Sequence, residues 1–406
     1  MIRRVNGLDE GLDEGLDEGL DEGALALPAG VRDGLGRCAG SSDMMRTLPP
    51  ACYTDPVVFE AEQEAIFRAG WVGVGRSDRW PGVGDYSALE IGGVPVVVVR
   101  GDDGGLHAYS NSCSHRAAQV MSGEGNCTRM RCRFHFWTYG LDGRLLAAPS
   151  MGRTDGFDKG EHGLSEFALA EVAGFVFLSF EVDPPAIDTW LGDFSATHEA
   201  WPAEAMLSVR RREFTVDCNW KAFAEVFNEY YHLPYVHPTS IDHTYDEPDE
   251  PEVVSGAFAT HFGTTDGTGG LLDGTQERAL PVIGQLEGRL RAGVRYSWLF
   301  PNIVVAFGSD AMWLYEVYPD GPDRCRCAQV VCFPQSTVDH PDFPERVDSY
   351  YERFDMALEE DIPMLEEQHA GMRSPFARQG MFSYLEPSVA NFARWYAVKL
   401  LGGESP

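Results

Sequence analysis

Four residues constrain this chain more than any others. Cys113 and His115 are separated by one residue, Cys132 and His135 by two, and 16 residues lie between the pairs. Each pair follows a strand-like run and falls in a turn. The surrounding stretch, from Trp71 to about Phe180, is a succession of short apolar strands punctuated by turn residues. Tyr86 to Ile91 and Val94 to Arg100 meet at Gly92-Gly93, Asp142-Gly143 marks a second hairpin, and Phe167 to Val172 and Phe175 to Phe180 close the set. This pattern predicts a small all-β unit whose loops bring thiols and imidazoles together.

Two Cys and two His in paired loops suit either a zinc ion or a [2Fe–2S] cluster of the Rieske type. Structural zinc normally pairs Cys with Cys and His with His. Here each pair mixes the two. That suits a cluster in which one iron takes both thiolates and the other both imidazoles, which raises its potential above that of an all-Cys cluster. Nine cysteines, an odd number, argue against a disulfide framework, and Cys127 between the pairs has no obvious partner.

A second constellation lies downstream. Asn228-Glu229-Tyr230-Tyr231-His232 ends a helix expected from Trp220 to Tyr231, and His237 follows five residues after His232. Non-haem iron(II) that handles O2 is held by two histidines and one carboxylate on one face, leaving the other face open. A spacing of five splays two side chains on an ideal helix. Leu233-Pro234 predicts a break that lets both imidazoles reach one point; two histidines of an ordinary polar core are the alternative. The carboxylate has to come from elsewhere. A long helix expected from about Arg346 offers Asp355, Glu359, Glu360, Asp361, Glu366 and Glu367, most of them suited to a solvated face. Asp361 stands just before Ile362-Pro363, where proline opens the helix locally.

Around these clusters the chain divides into three. Residues 7–22 repeat Gly-Leu-Asp-Glu four times. Glycines costing about 1 kcal/mol each in a helix, with eight repelling carboxylates, make residues 1–44 an expected disordered acidic tail and arm. Residues 45–185 hold a helix capped by Asp55-Pro56 and then the β unit. Beyond Asp183-Pro184-Pro185, residues 186–406 mix strand runs (Tyr296 to Phe300, Ile303 to Phe307, Met312 to Val317, Arg326 to Phe333) with helices, the last near Val389 to Leu401. The fold class is α+β. A formal net charge of −31 excludes nucleic acid as a natural partner. No run approaches the roughly 20 apolar residues of a membrane span, and Arg3-Arg4 has no apolar core behind it, so no membrane partner and a cytoplasmic location are expected.

From about residue 45 onward the chain resembles the catalytic alpha subunits of Rieske non-haem iron oxygenases of the ring-hydroxylating type. Trp137-Thr138-Tyr139-Gly140 continues as Rieske proteins do. Asn219-Trp220-Lys221, Asn228 to His232 and His237-Pro238 are similar to the family's iron-site stretch, Trp298 to Asn302 to a catalytic-sheet strand, and Glu360-Asp361 to the stretch with the third ligand. The resemblance implies an N-terminal all-β Rieske domain plus a helix-grip-like catalytic domain, an antiparallel sheet with helices. It implies a [2Fe–2S] cluster on Cys113, His115, Cys132 and His135, and a mononuclear Fe(II) on His232, His237 and Asp361. Asn228 and Glu229 are then the expected catalytic residues, with Glu229 linking a cluster histidine of one subunit to an iron histidine of the next in a head-to-tail homotrimer. Where the family usually has glycine after the second cluster histidine, this chain has Phe136.

The same resemblance implies a reaction using O2 and electrons from an NAD(P)H-dependent reductase, with or without a ferredoxin. Glu rather than Asp at position 229, and the C-terminal run of Phe382-Ser383-Tyr384 and Phe392 to Leu401, are similar to choline, glycine betaine and carnitine monooxygenases. A small quaternary ammonium substrate, hydroxylated or N-demethylated, is the implied chemistry. Trp298, Phe300, Phe307, Trp313 and Tyr315 are the rings expected to line the pocket. They suit cation–π contact with such a substrate, an arene, or ordinary core packing. An aromatic-ring hydroxylating oxygenase and a plain Rieske electron carrier are the alternatives; the His232/His237 pair argues against the second.

Overall fold

The computed structural model describes residues 27–40, 45–249 and 252–403; the Gly-Leu-Asp-Glu repeat lies outside them. Ten strands precede residue 180: β1 Val72–Arg76, β2 Asp85–Ile91, β3 Val94–Arg100, β4 Leu106–Ser110, β5 Glu124–Asn126, β6 Met130–Arg131, β7 Thr138–Tyr139, β8 Leu145–Ala147, β9 Glu166–Val172 and β10 Phe175–Ser179. Seven pair antiparallel in the order β1-β10-β9-β4-β3-β2-β5, and β6-β7-β8 form a small separate sheet. The β2–β3 turn places Gly92 and Gly93 at φ 58° and 75°, the left-handed pair that a two-residue hairpin requires.

Six further strands follow: β11 Met206–Val216, β12 Phe258–Thr264, β13 Gly293–Leu299, β14 Ile303–Phe307, β15 Met312–Pro319 and β16 Cys325–Pro334. They make one antiparallel sheet in the order β11-β16-β15-β14-β13-β12. On one face lie the 30-residue helix Phe343–Met372 and the C-terminal helix Pro387–Leu400. Tyr350 and Phe354 of the first share a core with Tyr296, Trp313 and Phe333, and Phe392 of the second stacks on Trp298 at 3.8 Å. The opposite face packs on Trp71, Phe175 and Phe177 of the β unit, with Phe194 and Trp201 from the connecting segment. The fold is α+β, an all-β unit followed by an antiparallel sheet held by helices. Among the described residues, no helix is long and apolar enough to cross a membrane.

Close backbone approach joins the two sheets. The Asn302 amide accepts from Gly73 N and donates to Gly73 O, both at 2.9 Å. A Cβ on Gly73 would lie 2.3 Å from Ile303 Cγ1, so only glycine fits there.

Among the elements that depart from expectation are an early helix and strand β11. The arm expected to be disordered to residue 44 contains a helix, Ala29–Ala39, whose Val31, Leu35 and Cys38 are buried in the same core as Trp395 and Tyr396. Its glycine-rich sequence hides an apolar stripe at i, i+4 and i+7. Strand β11 was concealed by three consecutive arginines. Alternation separates them: Arg210 and Arg212 reach Asp355 of the long helix at 2.6 and 2.9 Å, while Arg211 turns to buried Glu316 on β15 at 2.6 and 2.9 Å.

Helix Pro56–Glu62 begins where expected, with the Asp55 carboxylate accepting from Val57 N at 2.8 Å. At its far end Glu62 accepts from Lys221 Nζ and Trp220 Nε1, both at 2.5 Å, and from Tyr396 OH at 2.8 Å. One buried carboxylate thus ties the first helix, the Trp220–Val226 helix and the C-terminal helix together.

Candidate metal centres and pocket

Cys113 and Cys132 open two loops of the same shape. Each cysteine carbonyl accepts from the amide four residues on, Ala117 N at 2.8 Å and Phe136 N at 3.1 Å. Each cysteine amide donates to the carbonyl after that, Ala118 O and Trp137 O, both at 2.9 Å. The turn closes through Ala117 and Phe136 in the left-handed region, at φ 58° and 59°. That conformation explains a usual glycine at the second position and makes Phe136 a strained substitute. Its ring is exposed beneath the Arg131 guanidinium, just as Phe134 lies beneath Arg116.

Both thiols are buried. The His115 and His135 rings meet edge to face with their Nδ1 atoms 3.1 Å apart, and His115 stacks on Trp137. Two imidazole nitrogens at that distance need a proton or a shared metal between them. Tyr139 OH lies 3.1 Å from Cys113 Sγ. These four side chains do not converge on one point. Among the described residues, only His232, His237 and Asp361 form a set whose ligand atoms all lie within 4.8 Å of one another. A tetrahedral zinc would hold its ligands on edges of roughly 3.4–3.8 Å. The donor set fits a two-metal cluster better than a single ion.

The second centre is built from three pieces of chain. The Trp220–Val226 helix, capped by Asn219 Oδ1 accepting from Lys221 N at 3.1 Å, ends earlier than the expected Tyr231. The chain then turns, and a new helical turn, Leu233–Val236, begins with Pro234 in its first positions. Pro234, second in that segment, therefore helps start it rather than kinking a continuous helix, since the amide it lacks is one of the first-turn amides with no partner in the helix. His232 and His237 flank that short segment, and so their rings converge, 5.1 Å between centroids. Asp361 Oδ1 lies 3.0 Å from His237 Nε2 and 3.7 Å from His232 Nε2. This oxygen is buried and has no hydrogen-bond donor. An acceptor left bare between two ring nitrogens fits a cation bound by all three.

The outer nitrogens are also engaged. His232 Nδ1 meets Glu229 Oε1 at 2.5 Å, and His237 Nδ1 meets Glu360 Oε2 at 2.7 Å. Both rings thereby present Nε2 inward. Burial opposes a charge on His232, but Glu229 outweighs it, with help from Asp361 and Glu386, and raises its pKa. Glu229 also accepts from the backbone amides of Tyr231 and His232. Ser240 Oγ donates to Glu360 at 2.6 Å. Glu360 had stood only among several acids on the helix; its position beside Asp361 placed it one step from the metal set. Asn228 does not join the cluster. Its buried amide donates to Ala224 O at 2.8 Å and holds the turn that carries Glu229.

Beside His232, His237 and Asp361 lies a cavity of about 50 Å³, lined by Phe227, Tyr230, Tyr296, Tyr315, Arg353 and Ala357 among others. Of the five rings expected to line it, Tyr315 alone does. Trp298 and Phe300 pack on the C-terminal helix against Phe392 and Trp395. Trp313 stands behind Tyr296 and against Phe354. Phe307 pairs with Arg295 in the sheet and points to the other face, against His198 and Trp201. Strand parity could have excluded Phe307, since it is opposite to that of Tyr296, which pairs with Ala306.

Residues 70–167 match the Rieske [2Fe–2S] domain, and residues 200–402 match the ring-hydroxylating alpha-subunit catalytic domain. The chain belongs to the Rieske oxygenases. This Rieske oxygenase is 30% identical over 404 residues to the oxygenase subunit of glycine betaine monooxygenase from Chromohalobacter salexigens, covering 89% of this chain and 88% of that one. It is 28% identical over 360 residues to chloroplastic choline monooxygenase from Arabidopsis thaliana, covering 85% and 81%. The quaternary ammonium Rieske monooxygenase CntA in complex with L-carnitine shares the fold, with a TM-score of 0.74 at 23% identity over 92% of this chain and 99% of that one. So does naphthalene 1,2-dioxygenase from Rhodococcus sp., at 0.77 and 21% over 93% and 100%. The oxygenase uses a Rieske [2Fe–2S] cluster and a mononuclear iron.

Proposed function

We propose that this oxygenase hydroxylates or N-demethylates a small quaternary ammonium or betaine-like molecule at an iron held by His232, His237 and Asp361. One observation carries the reading: those three side chains open onto a small cavity walled by Phe227, Tyr230, Tyr296 and Tyr315. Aromatic faces attract a methylated ammonium without competing hydrogen bonds. The relatives that act on betaine and choline support it.

Residues 45–185 then form the electron-accepting part and residues 186–406 the catalytic part. Cys113, Cys132, His115 and His135 would hold the cluster. When bound, the cluster relays single electrons and the ferrous ion activates O2. Glu229 and Glu360 keep the Nδ1 protons of His232 and His237, so both rings offer a lone pair at Nε2. The pocket rings seat the ammonium with a methyl carbon toward the ligands and keep bulk water out. Hydroxylation at that carbon gives a carbinolamine, which collapses to formaldehyde and the demethylated amine.

The electron source is an NAD(P)H-dependent reductase, with or without a ferredoxin, and the assembly is a head-to-tail homotrimer. Inter-subunit electron transfer has been described for a quaternary ammonium Rieske monooxygenase of this fold. In support, the cluster loops present exposed Phe134 and Phe136, while a groove of about 590 Å³ lined by Leu48, Met364, Met372 and Phe382 runs beside Glu229 and His232. A neighbouring copy's loop tip in that groove would bring its cluster up to Glu229. Nine unpaired cysteines suit a reducing cytoplasm. O2 uptake with a surrogate reductase tests the reading: glycine betaine, choline or carnitine should support turnover, with formaldehyde released where an N-methyl group is the carbon hydroxylated. Turnover of aromatic acids alone would replace it with ring hydroxylation.

A further inference from the structure

The cavity wall contains one cation with no anion. Arg353 lies on the Phe343–Met372 helix, 4% exposed, and lines the cavity together with Tyr296, Tyr315 and the three ligating side chains. Nη2 donates to Tyr245 OH at 3.0 Å, and Nε is buried with no partner. Among the described residues no carboxylate comes within 4.0 Å of it. Its nearest neighbours are the rings of Trp313 and Phe354, at 5.2 and 5.3 Å, and the hydroxyls of Tyr245, Tyr296 and Tyr315. Among the described residues the two other buried arginines also leave Nε without a partner, but each has an acid nearby: Arg76 donates to the carbonyls of Ala203 and Met206 with Asp78 at 3.8 Å, and Arg295 reaches Glu252 at 2.8 Å. An arginine stays charged at any working pH and is costly to bury without a counter-ion. The polar atoms around it are under-used as well: Gln329 Oε1 and Tyr230 OH are buried without partners.

The same cavity also carries the opposite charge: Asp361 and Glu229 line it, Asp361 eight residues further along the same helix. Eight residues rise about 12 Å, and both side chains lean inward from those points. A cavity of about 50 Å³ holds on the order of four waters by the measure of roughly 10–15 Å³ each. A molecule that fits is short, and the field along it runs from a cation to aromatic faces and acids.

We propose that Arg353 binds the carboxylate of the substrate, so that the enzyme selects small zwitterions, carboxylates bearing a methylated nitrogen, over quaternary ammonium alcohols. The assignment rests on the quaternary ammonium reading for the nitrogen end alone. The guanidinium fork pairs a carboxylate with two parallel hydrogen bonds, and Nε is one of the two donors that geometry uses. Holding the carboxylate at Arg353 leaves the methyl groups at the metal end.

The test compares glycine betaine with choline in coupled turnover of the holoenzyme, for the native enzyme, Arg353→Gln and Arg353→Lys, with the visible cluster spectrum and thermal unfolding as controls of folding. The native enzyme should favour glycine betaine by about 100-fold or more in kcat/KM, because a site built for a charged group rejects a ligand lacking it. R353Q should lose about 100-fold on glycine betaine, chiefly through KM, and leave choline within about threefold. R353K should recover part of the loss. Equal losses on both substrates, or no native preference, would overturn the assignment. Should R353Q fail to fold, Arg353→Met, which keeps the packing against Trp313 and Phe354, replaces it: the preference for glycine betaine should vanish, and its survival would overturn the assignment. If neither ammonium compound turns over while an aromatic carboxylate does, and R353Q abolishes that activity, the carboxylate role stands and the ammonium reading falls.

Discussion

Glu360 and Asp361, adjacent on one helix, grip opposite nitrogens of the same imidazole: Glu360 Oε2 lies 2.7 Å from His237 Nδ1 and Asp361 Oδ1 lies 3.0 Å from His237 Nε2. One carboxylate fixes the ring from outside and the other meets its inner nitrogen. Glu360→Gln should therefore weaken iron binding by about 10–100-fold without altering the cluster, since outer hydrogen bonds of this kind set ligand orientation and basicity. Chelator competition followed by iron analysis, alongside an unchanged cluster spectrum, checks it.

The left-handed backbone at Phe136 gives a second prediction. Phe136→Gly and Phe136→Ala both delete the exposed ring, and they differ only in the Cβ that strains this turn. The glycine variant should be more stable than the alanine variant by about 1 kcal/mol. Denaturant unfolding monitored at the cluster's visible absorption measures the difference.

Lys221 and Glu62, both fully buried, form a pair at 2.5 Å with three aromatic rings within 5.2 Å of the ammonium. Removing one charge leaves the other stranded. Lys221→Met should cost about 3–5 kcal/mol, as broken buried pairs do, and should loosen the helix that leads to Glu229. Equilibrium unfolding of the purified variant gives the value.

Burial pushes the Glu225 carboxyl up to about 7, although Tyr53 OH donates to it at 2.6 Å and Lys221 pulls the other way. A carboxyl whose pKa rises on folding stabilises the fold below its unfolded value, near 4.5, and that contribution fades as pH climbs through about 7. The native enzyme should thus lose on the order of 3 kcal/mol between those limits from this group, at about 1.4 kcal/mol per unit. Glu225→Gln should flatten the profile. Melting temperatures of both proteins from pH 5 to pH 8 measure it.

Sequence made the metal chemistry readable because ligands are scarce residue types at fixed spacings. Cys113, His115, Cys132 and His135 stand out by their order alone, and the structure brings His232, His237 and Asp361 to one place. Pocket walls carry no such mark. Trp298, Trp313 and Tyr315 share the sheet face of Tyr296, yet the C-terminal helix covers the first, and Tyr296 with Phe354 shields the second. Which ring meets the cavity depends on where two helices cross the sheet, a tertiary fact. Phe227 and Tyr230 fall in the turn after the Trp220–Val226 helix, a segment taken for continuing helix. Nothing in the sequence marks Arg353, because sequence does not show the absence of its counter-ion. The early helix Ala29–Ala39 escaped for the same reason: its glycines speak against it until the C-terminal helix buries its stripe.

If two separate sets of side chains hold two kinds of iron, the metal content of the protein counts them. Reconstituted native protein should contain about three irons per chain. Asp361→Ala should contain about two and keep the full visible spectrum of the cluster. Two irons in the native protein, or three in the variant, would contradict the account.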